Sequence, residues 1–198
     1  MPTSDNEIIE KVRGGARHHF AALVERYKDR AMTLSVRMLK NREDAEEATQ
    51  DAFVRAYNAL DKFEGSAKFG TWFYRILYNV CVTKISRRKE EFATIEYDDE
   101  REYAPEQNVP FAGAIPGQKG GFMQDFEARD MIMFAKKIIE TLPSKYATIL
   151  SLFYFQELSH EEICEVTQLP LGTVKVHLFR ARALLQERLQ KEQEKEFA

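Results

Sequence analysis

A segment unsuited to helix or strand divides this chain into two parts. From Glu90 to about Phe126 the sequence is acidic at first, and it then holds three of the six prolines and four of the nine glycines. Proline cannot donate a backbone hydrogen bond and glycine favours irregular backbone, so no regular structure is expected there. The sequence therefore predicts a flexible, acidic linker over residues 91–127, which separates a domain over residues 1–90 from a domain over residues 128–198.

Apolar residues recur at helical spacing on both sides of this linker. Before it, the spacing predicts a short helix, a break at Gly14 and Gly15, and three longer helices that end near Leu39, Leu60 and Lys89. After it, the helical period returns and continues, with breaks, to a long final helix. The pattern predicts an all-α fold of two small helical domains.

Three of the helix starts carry capping signals. Asn41 stands three residues before Asp44, which resembles a capping box, and Thr71 is an acceptable N-cap for the helix that ends near residue 89. Ser159 and Glu162 form a capping-box sequence in the second domain. We expect helices to begin at these three places.

The composition excludes several classes of protein. The chain has 198 residues, of which 44% are apolar and 31% charged, as is ordinary for a globular protein. No apolar run reaches 18 residues and the N-terminus lacks the apolar region of a signal peptide, so we expect a cytoplasmic location. Cys81 and Cys164 have neither metal-ligand nor disulfide spacing, and the four histidines have no triad-like context. We therefore expect no catalytic residues, no metal and no cofactor.

One stretch combines basic and aromatic side chains and lacks acid. Residues 65–89 contain six basic and five aromatic residues but no carboxylate, in a chain with 32 acidic residues. Basic side chains attract phosphate, and rings stack on the exposed bases of single-stranded nucleic acid. This composition indicates binding to nucleic acid with exposed bases. The alternative is an amphipathic helix whose Trp72, Ile76 and Val80 are core residues.

The net charge of the chain does not argue against an anionic partner. The total is −3, but residues 91–130 alone carry ten acidic and three basic side chains, a balance of −7. The rest of the chain is therefore +4. The acidic segment therefore hides the positive net charge of the sequence on either side of it.

The helix predicted over residues 42–60 has a partly acidic face. Glu47, Gln50, Asp51 and Val54 stand at positions i, i+3, i+4 and i+7 of this helix. This arrangement is typical of a docking face for a basic protein partner. Acidic residues in a first turn also stabilise the helix dipole, which is the alternative explanation for the acids at its start.

The helix predicted over residues 71–89 offers polar and aromatic groups together. Its residues Trp72, Arg75, Tyr78, Asn79 and Val82 share one side, next to a loop that two glycines interrupt. A base removed from its stack needs a ring for its plane and polar groups for its edge. The helix and the loop together could hold such a base.

The end of the chain has a helix-turn-helix pattern. Its second helix is basic and free of acid over residues 171–186, and in this motif the start of the second helix enters the major groove of DNA. A three-helix bundle with a basic last helix is the alternative. The side chains placed to contact DNA are Lys175, Val176, His177, Phe179, Arg180 and, for a phosphate, Arg182.

The sequence resembles bacterial RNA polymerase sigma factors of the extracytoplasmic-function (ECF) group. The first matching stretch, residues 20–89, contains DAEEATQDAFVRAYNALDKF followed by FGTWFYRILYN. The second, residues 142–189, contains LP, LSHEEI and GTVKVHLFRARALL. The two stretches have the order of the family, with its intervening linker. The first domain is thus similar to sigma region 2 and the second to sigma region 4.

The resemblance implies a promoter-specificity factor that binds core RNA polymerase and promoter DNA, both duplex and melted, and is controlled by an anti-sigma factor. It implies docking on polymerase through Asp44, Glu47, Gln50, Asp51 and Val54. It implies minus-ten recognition and melting by Asp61, Phe63, Ser66, Lys68, Trp72, Arg75, Asn79, Lys84, Arg87 and Arg88. It implies minus-thirty-five recognition by Thr173, Lys175, His177, Phe179, Arg180 and Arg182.

The chain departs from the family pattern in ways that affect these expectations. Gln168 replaces a glycine of the helix-turn-helix turn, at a cost of about 1 kcal/mol if its φ is positive. Lys175 and Val176 replace commoner reading residues, which leaves the promoter sequence open. A second candidate function is a free-standing helix-turn-helix regulator whose first domain senses a signal or dimerises.

Overall fold

The structure, a computed structural model, describes residues 3–92 and 137–196. Its N-terminal domain contains helices α1 (Asp5–Arg13), α2 (Phe20–Leu39), α3 (Arg42–Asn58) and α4 (Phe69–Phe92), with 3₁₀ turns at Arg17–His19 and Leu60–Lys62. Its C-terminal domain contains helical residues 137–141, α5 (Ser144–Leu150), a π turn (Ser151–Phe155), α6 (His160–Thr167) and α7 (Leu171–Glu196). All secondary structure in these ranges is helical, which confirms the predicted all-α fold.

Part of the sequence-based prediction lies outside the described residues. Residues 91 and 92 belong to the end of α4, and the rest of the predicted linker over residues 91–127 is not among the described residues. The helical residues expected between 127 and 136 also lie outside them.

Side-chain caps place two helix starts where the sequence predicted them. The Asn41 side chain accepts a hydrogen bond from the backbone N–H of Asp44 at 3.0 Å. Ser159 Oγ accepts from the N–H of Glu162 at 3.1 Å, and Glu162 Oε2 accepts from the N–H of Ser159 at 2.8 Å. Each bond satisfies a backbone donor that the helix itself leaves unpaired. Both predicted starts are confirmed.

The predicted start of α4 at Thr71 is wrong, because the helix begins two residues earlier, at Phe69. Thr71 therefore lies in the first turn, where its backbone is already helical. It is 1% exposed, and its hydroxyl donates to Glu162 Oε1 of the C-terminal domain at 3.1 Å. A local capping signal has been overridden by a tertiary contact.

Small residues and stacked rings fill the core of the N-terminal domain. Ala45, Ala48, Ala52 and Ala56 on α3 are all fully buried, and this small-residue face allows α3 to pack closely against α2 and α4. Between α3 and α4, the ring of Phe53 stacks on that of Phe73, with 4.5 Å between the ring centroids. Interdigitation of this kind gives α4 a fixed position.

The C-terminal domain is organised around the turn between α6 and α7. Gln168 ends α6 in the left-handed conformation, with φ of 60°, so the condition for a backbone cost at this replaced glycine is met. Its side chain donates to the carbonyl of Glu165 at 2.6 Å. Val174 and Leu178 of α7 are buried beside Ile163 of α6 in the same core. This packing makes α6, the turn and α7 a helix-turn-helix.

The two domains lie against each other, an arrangement that the sequence pattern did not predict. Helix α5 packs on α2 and helix α6 packs on α4, so the buried residues of the two domains form one connected core. Buried Arg37 donates to Ser151 Oγ at 2.8 Å. Lys40 Nζ donates to the carbonyls of Glu140 at 2.6 Å and Leu142 at 3.0 Å. The junction therefore combines apolar packing with a few polar bonds.

Candidate nucleic-acid interface

The loop between α3 and α4 presents polar side chains above a layer of rings. Asp61, Ser66 and Lys68 of this loop are exposed. Phe63 is 5% exposed, and its ring lies 5.1 Å from that of Trp72 and 6.0 Å from that of Phe69, between centroids. Phe63 therefore supports the loop from below, whereas the other three predicted loop residues are available to solvent.

Arg13 of α1 holds the beginning of this loop. Its guanidinium donates to the carbonyl of Leu60 at 2.9 Å and also to the carbonyl of Phe63, and it pairs with Glu10 at 3.2 Å. A guanidinium is suited to this task because its donors form a rigid fork. Sequence reasoning missed Arg13, since its partners lie 47 and 50 residues away and no local pattern links them.

The end of the loop is fixed by a close contact between a glycine and a ring. A Cβ atom at Gly70 would stand 3.3 Å from Cε1 and Oη of Tyr27. The Tyr27 hydroxyl in turn donates to Asp5 Oδ2 at 2.5 Å. Burial and this hydrogen bond raise the pKa of Tyr27 well above its usual range, so the phenol keeps its proton. Gly70 thus allows the loop to approach α2.

Helix α4 divides its rings between the core and the surface. Phe69, Phe73 and Tyr74 are buried, which supports the core alternative for these three aromatic residues. Val80 is also buried, while Trp72 and Ile76 are half-buried at the edge of the core. Trp72 is therefore the ring of the first turns that solvent reaches, beside the predicted base-holding loop.

The polar side of α4 agrees with the predicted face. Arg75, Asn79 and Val82 are exposed, and Trp72 and Tyr78 are half-buried beside them. Burial raises the pKa of the Tyr78 phenol, which remains a hydrogen-bond donor. A ring, a guanidinium and an amide are thus offered on one side of the helix, next to the loop.

Two predicted DNA contacts at the end of α4 are bonded to the acidic start of α3. Lys84 Nζ lies 2.8 Å from Glu47 Oε2 and 3.9 Å from Asp44 Oδ1. Arg88 Nη1 lies 3.5 Å from Asp44 Oδ2, while Arg87 is exposed. The structure therefore joins residues that the sequence assigned to two different surfaces.

The rest of the predicted docking face on α3 is accessible to solvent, at least in part. Gln50 is exposed, and Val54 is 57% exposed, which is unusual for an apolar side chain of this size. Asp51 is half-buried and pairs with Arg55 at 2.9 Å. The face is therefore a mixed apolar and acidic surface on a rigid helix.

Helix α7 exposes most of its predicted reading residues. Lys175 and Arg180 are exposed, Phe179 is 53% exposed and Val176 is 39% exposed, while Thr173 is half-buried. Their positions alternate with the buried Val174, Leu178 and Ala181. One side of α7 therefore faces the core and the other is free to enter a groove.

Two predicted reading residues are held by neighbouring rings. The guanidinium of Arg182 lies 5.1 Å from the centroid of Phe153 and 5.5 Å from that of Tyr154. His177 is half-buried at 6.0 Å from the ring of Tyr146. Burial, with the charges of Lys145 and Arg180, lowers the pKa of His177, so its ring is neutral near pH 7. These two side chains are therefore less exposed than those of Lys175 and Arg180.

Within the described ranges, no group of three or more His, Cys, Asp and Glu side chains is arranged to hold a metal ion. Of the helices in those ranges, none has the length and apolar character needed to cross a membrane.

The fold and its surfaces are those of a helical DNA-binding protein with a helix-turn-helix and a second, basic surface beside a rigid loop. The sequence matches the family described as Sigma-70 region 2 over residues 23–91 and the family described as Sigma-70, region 4 over residues 135–185.

Two curated relatives cover nearly the whole chain. The ECF RNA polymerase sigma factor SigW of Bacillus subtilis is 35% identical over 91% of this chain and 94% of its own length. The RNA polymerase sigma-H factor of Pseudomonas aeruginosa is 31% identical over 94% of each chain. The chain belongs to the ECF sigma factors of bacterial RNA polymerase, a family of transcription initiation factors that act with core polymerase and promoter DNA.

Solved structures share the fold at low sequence identity. CnrH in complex with the cytosolic domain of CnrY has a TM-score of 0.60 at 19% identity and covers 96% of this chain and 99% of its own. The sigma factor RpoE of Bartonella quintana, in complex with the anti-sigma factor NepR, has a TM-score of 0.61 at 20% identity and covers 86% of this chain and 96% of its own. Both likenesses concern the fold.

Proposed function

We propose that this sigma factor divides promoter recognition between its two domains. The domain over residues 1–90 docks on core polymerase and recognises and melts the minus-ten element, and the domain over residues 128–198 reads the minus-thirty-five element. The observation that carries this proposal is the open side of α4, where Arg75 and Asn79 are exposed beside the half-buried ring of Trp72. Such a set offers a plane for a base and polar groups for its edge.

The fixed loop next to α4 supports base capture. Arg13 holds its start, and the contact between Gly70 and Tyr27 fixes its end. A site on rigid elements loses less conformational entropy when it binds. The exposed Ser66 and Lys68 then contact the strand near the captured base, with Lys68 on the phosphate backbone.

The surface of α3 supports docking on polymerase. Its exposed Val54 and Gln50 lie on the same helix as Asp44, Glu47 and Asp51. The ion pairs of these acids to Lys84, Arg88 and Arg55 are at least partly exposed, so each contributes little and can be exchanged for a pair with a basic partner. Docking would then release Lys84 and Arg88 toward DNA.

The exposed side of α7 supports reading of the minus-thirty-five element. Lys175, Phe179 and Arg180 project from it, and the motif places such residues at base edges and phosphates of the major groove. Arg182, held on two rings, is suited to a phosphate because a fixed cation contributes position rather than sequence choice.

An anti-sigma factor is the expected regulator, and the cytoplasm, where polymerase acts, is the expected location. Two solved structures of the same fold are complexes, one with the anti-sigma factor NepR and one with the cytosolic domain of CnrY. We infer a protein partner of the same kind here. The chain would itself perform no catalysis, since the chemistry belongs to polymerase.

The test is run-off transcription by purified core polymerase on a genomic fragment library, with sequencing of the transcript starts. Discrete starts that require this protein would support the proposal. The Asn79→Ala variant should reduce promoter opening more than initial duplex binding, whereas Lys28→Ala, a half-buried position of α2 outside the proposed surfaces, should affect neither. Equal loss of opening and duplex binding in Asn79→Ala would contradict the melting role.

The same experiment addresses the second candidate. A free-standing regulator would use the exposed side of α7 alone and retain specific duplex fragments without polymerase. If no starts appear while the protein alone retains such fragments, that function replaces the first.

A further inference from the structure

A carboxylate of the C-terminal domain lies on the proposed strand-binding surface of the N-terminal domain. Glu162 Oε1 is 3.2 Å from Lys68 Nζ and accepts from the Thr71 hydroxyl at 3.1 Å. Its other oxygen caps α6 through the N–H of Ser159. Although burial opposes ionisation, the bonds from Ser159, Lys68 and Thr71 lower the pKa of Glu162. The ionised Glu162 carboxylate is thus paired with Lys68, the cation that we assign to the phosphate backbone of DNA.

A second feature of the junction is a buried charge, which has a desolvation cost. Arg37 is 1% exposed, donates to the Ser151 hydroxyl at 2.8 Å and lies 4.4 Å from the ring centroid of Phe155. Burial lowers the pKa of this guanidinium, and Glu140 opposes the effect only through its charge. A hydroxyl and a ring compensate poorly for the water that a buried guanidinium loses. The closed junction therefore carries the desolvation cost of the buried Arg37 guanidinium, which is relieved when the domains separate.

Three buried polar atoms at the junction lack a hydrogen-bond partner in the described structure. They are Nε of Arg37, Oη of Tyr74 and Oε1 of Gln156. Gln156 and Tyr74 line a cleft of about 610 Å³ between the domains, together with Ser66 and Lys68 of the loop. Atoms of this kind regain water when the domains separate, so they favour opening. A permanent interface would be expected to satisfy them.

The two other proposed surfaces stay accessible while the junction is closed. Val54 on the docking face is 57% exposed and Phe179 on α7 is 53% exposed. Polymerase can therefore meet the closed chain before the domains separate. Only the loop end of the melting surface is engaged by the C-terminal domain.

We propose that the free chain has a closed state in which the C-terminal domain docks on α2 and α4, with the Glu162 carboxylate in the place of a phosphate of the promoter strand. Binding of the melted strand then requires that Glu162 leave Lys68 and Thr71. This inference rests on the function proposed above for the loop and α4. It adds an internal competitor for that surface, supplied by the same chain.

The first experiment measures binding of a fluorescent single-stranded oligonucleotide, carrying the non-template minus-ten sequence found by run-off transcription, to the full free chain. Glu162→Gln keeps the capping pattern and removes the charge, and it should bind about 2- to 5-fold more tightly, as expected for an ion pair whose lysine is 80% exposed. Glu161→Gln is the matched control, because it removes the same charge one residue away in the same turn. Equal effects of the two variants, or none for Glu162→Gln, would overturn the competition.

A second experiment measures closure itself by small-angle X-ray scattering of the free chain. Ser151→Ala leaves Arg37 without its acceptor and should shift the closed-to-open ratio by a factor of roughly 5 to 150, which would raise the radius of gyration. Thr148→Val is the control, since the Thr148 hydroxyl bonds only within its own helix, to the carbonyl of Ser144. A wild-type chain that already scatters as separated domains, or equal values for both variants, would overturn the closed state.

The two experiments distinguish this inference from the proposed function. If the chain is closed in solution but no form binds the oligonucleotide, the strand-binding role of Lys68 and the competition both fail. If wild-type domains are separate while transcription proceeds as proposed, only the closed state fails.

Discussion

Two helices are basic and free of acid in the sequence, namely α4 up to residue 89 and the first half of α7. They differ in which side chains they bury and which they expose. In α4, the rings of Phe69, Phe73 and Tyr74 are buried in the core of the domain. In α7, the buried positions are aliphatic, and the ring of Phe179 is 53% exposed. The same composition therefore serves mainly packing in one helix and mainly the surface in the other.

The cations of the two helices differ in the same sense. Lys84 and Arg88 of α4 are paired with carboxylates of α3, whereas Lys175 and Arg180 of α7 are exposed. The C-terminal helix is thus ready to meet DNA as it stands. The N-terminal surface needs an exchange of partners first, which suits a surface that acts only after polymerase is bound.

The largest expected change in stability tests how the two helices divide their aromatic rings between core and surface. Phe73→Ala removes a fully buried ring that stacks on Phe53, and it should lower the free energy of unfolding by about 3–5 kcal/mol. Phe179→Ala removes an exposed ring and should change it by less than about 0.5 kcal/mol. Guanidinium denaturation of both variants measures the difference. Similar losses would show that the two helices use their rings alike.

The next effect concerns base reading by α7. Arg180→Ala should weaken promoter binding by the polymerase holoenzyme by about 1–3 kcal/mol and relax specificity at one minus-thirty-five position, if this side chain contacts a base edge. Competition binding with single-base promoter variants measures this, with Arg188→Ala, nearer the end of α7, as the control. A uniform loss across all sequences would instead place Arg180 on a phosphate.

A smaller effect tests the turn that positions α7. Gln168→Gly relieves a left-handed residue with φ of 60° and should raise the free energy of unfolding by up to about 1 kcal/mol. The hydrogen bond from the Gln168 side chain to the Glu165 carbonyl is lost and reduces the gain. Thermal unfolding measures the change in stability, and promoter binding is the second readout. A less stable Gln168→Gly variant would mean that the lost hydrogen bond outweighs the relieved backbone strain.

The smallest effect tests the pairing of α4 with α3. Lys84→Ala should lower the free energy of unfolding by about 0.2–1 kcal/mol at low salt, because Lys84 is 22% exposed and bonded to Glu47 at 2.8 Å. The difference should shrink in 1 M salt, where exposed charges are screened. Arg42→Ala, which breaks a pair whose arginine is 83% exposed, should change it less. Equal values at both salt concentrations would contradict an ion-pair origin.

Local signals accounted for much of the fold. The capping sequences at Asn41 and Ser159 placed two helix starts, and the glycine of the family pattern marked Gln168 as a position whose φ could be positive, as it is. Each of these features depends on residues within four positions of one another, so the sequence displays it directly. The exposed side of α4 with Arg75 and Asn79 followed from helical periodicity for the same reason.

Contacts distant in sequence could not be predicted in this way. Arg13 donates hydrogen bonds to loop carbonyls that lie 47 and 50 positions later in the chain. Arg37 donates to Ser151, which lies 114 positions later. The start of α4 was misplaced for a related reason, since the partner of the Thr71 hydroxyl lies 91 residues away. Periodicity also could not tell which rings of the aromatic stretch face inward, because core and surface rings have the same composition.

The Arg37–Ser151 contact also has a consequence for the order of events during synthesis. The helices α1 to α4 are complete by residue 92, so the N-terminal domain has its packing partners before Ser151 has been made. Domains generally fold as units, with the N-terminal one first, and contacts of long sequence separation form late. A nascent chain therefore presents its α4 surface uncovered on the ribosome, and the junction can close only after the helix-turn-helix has emerged.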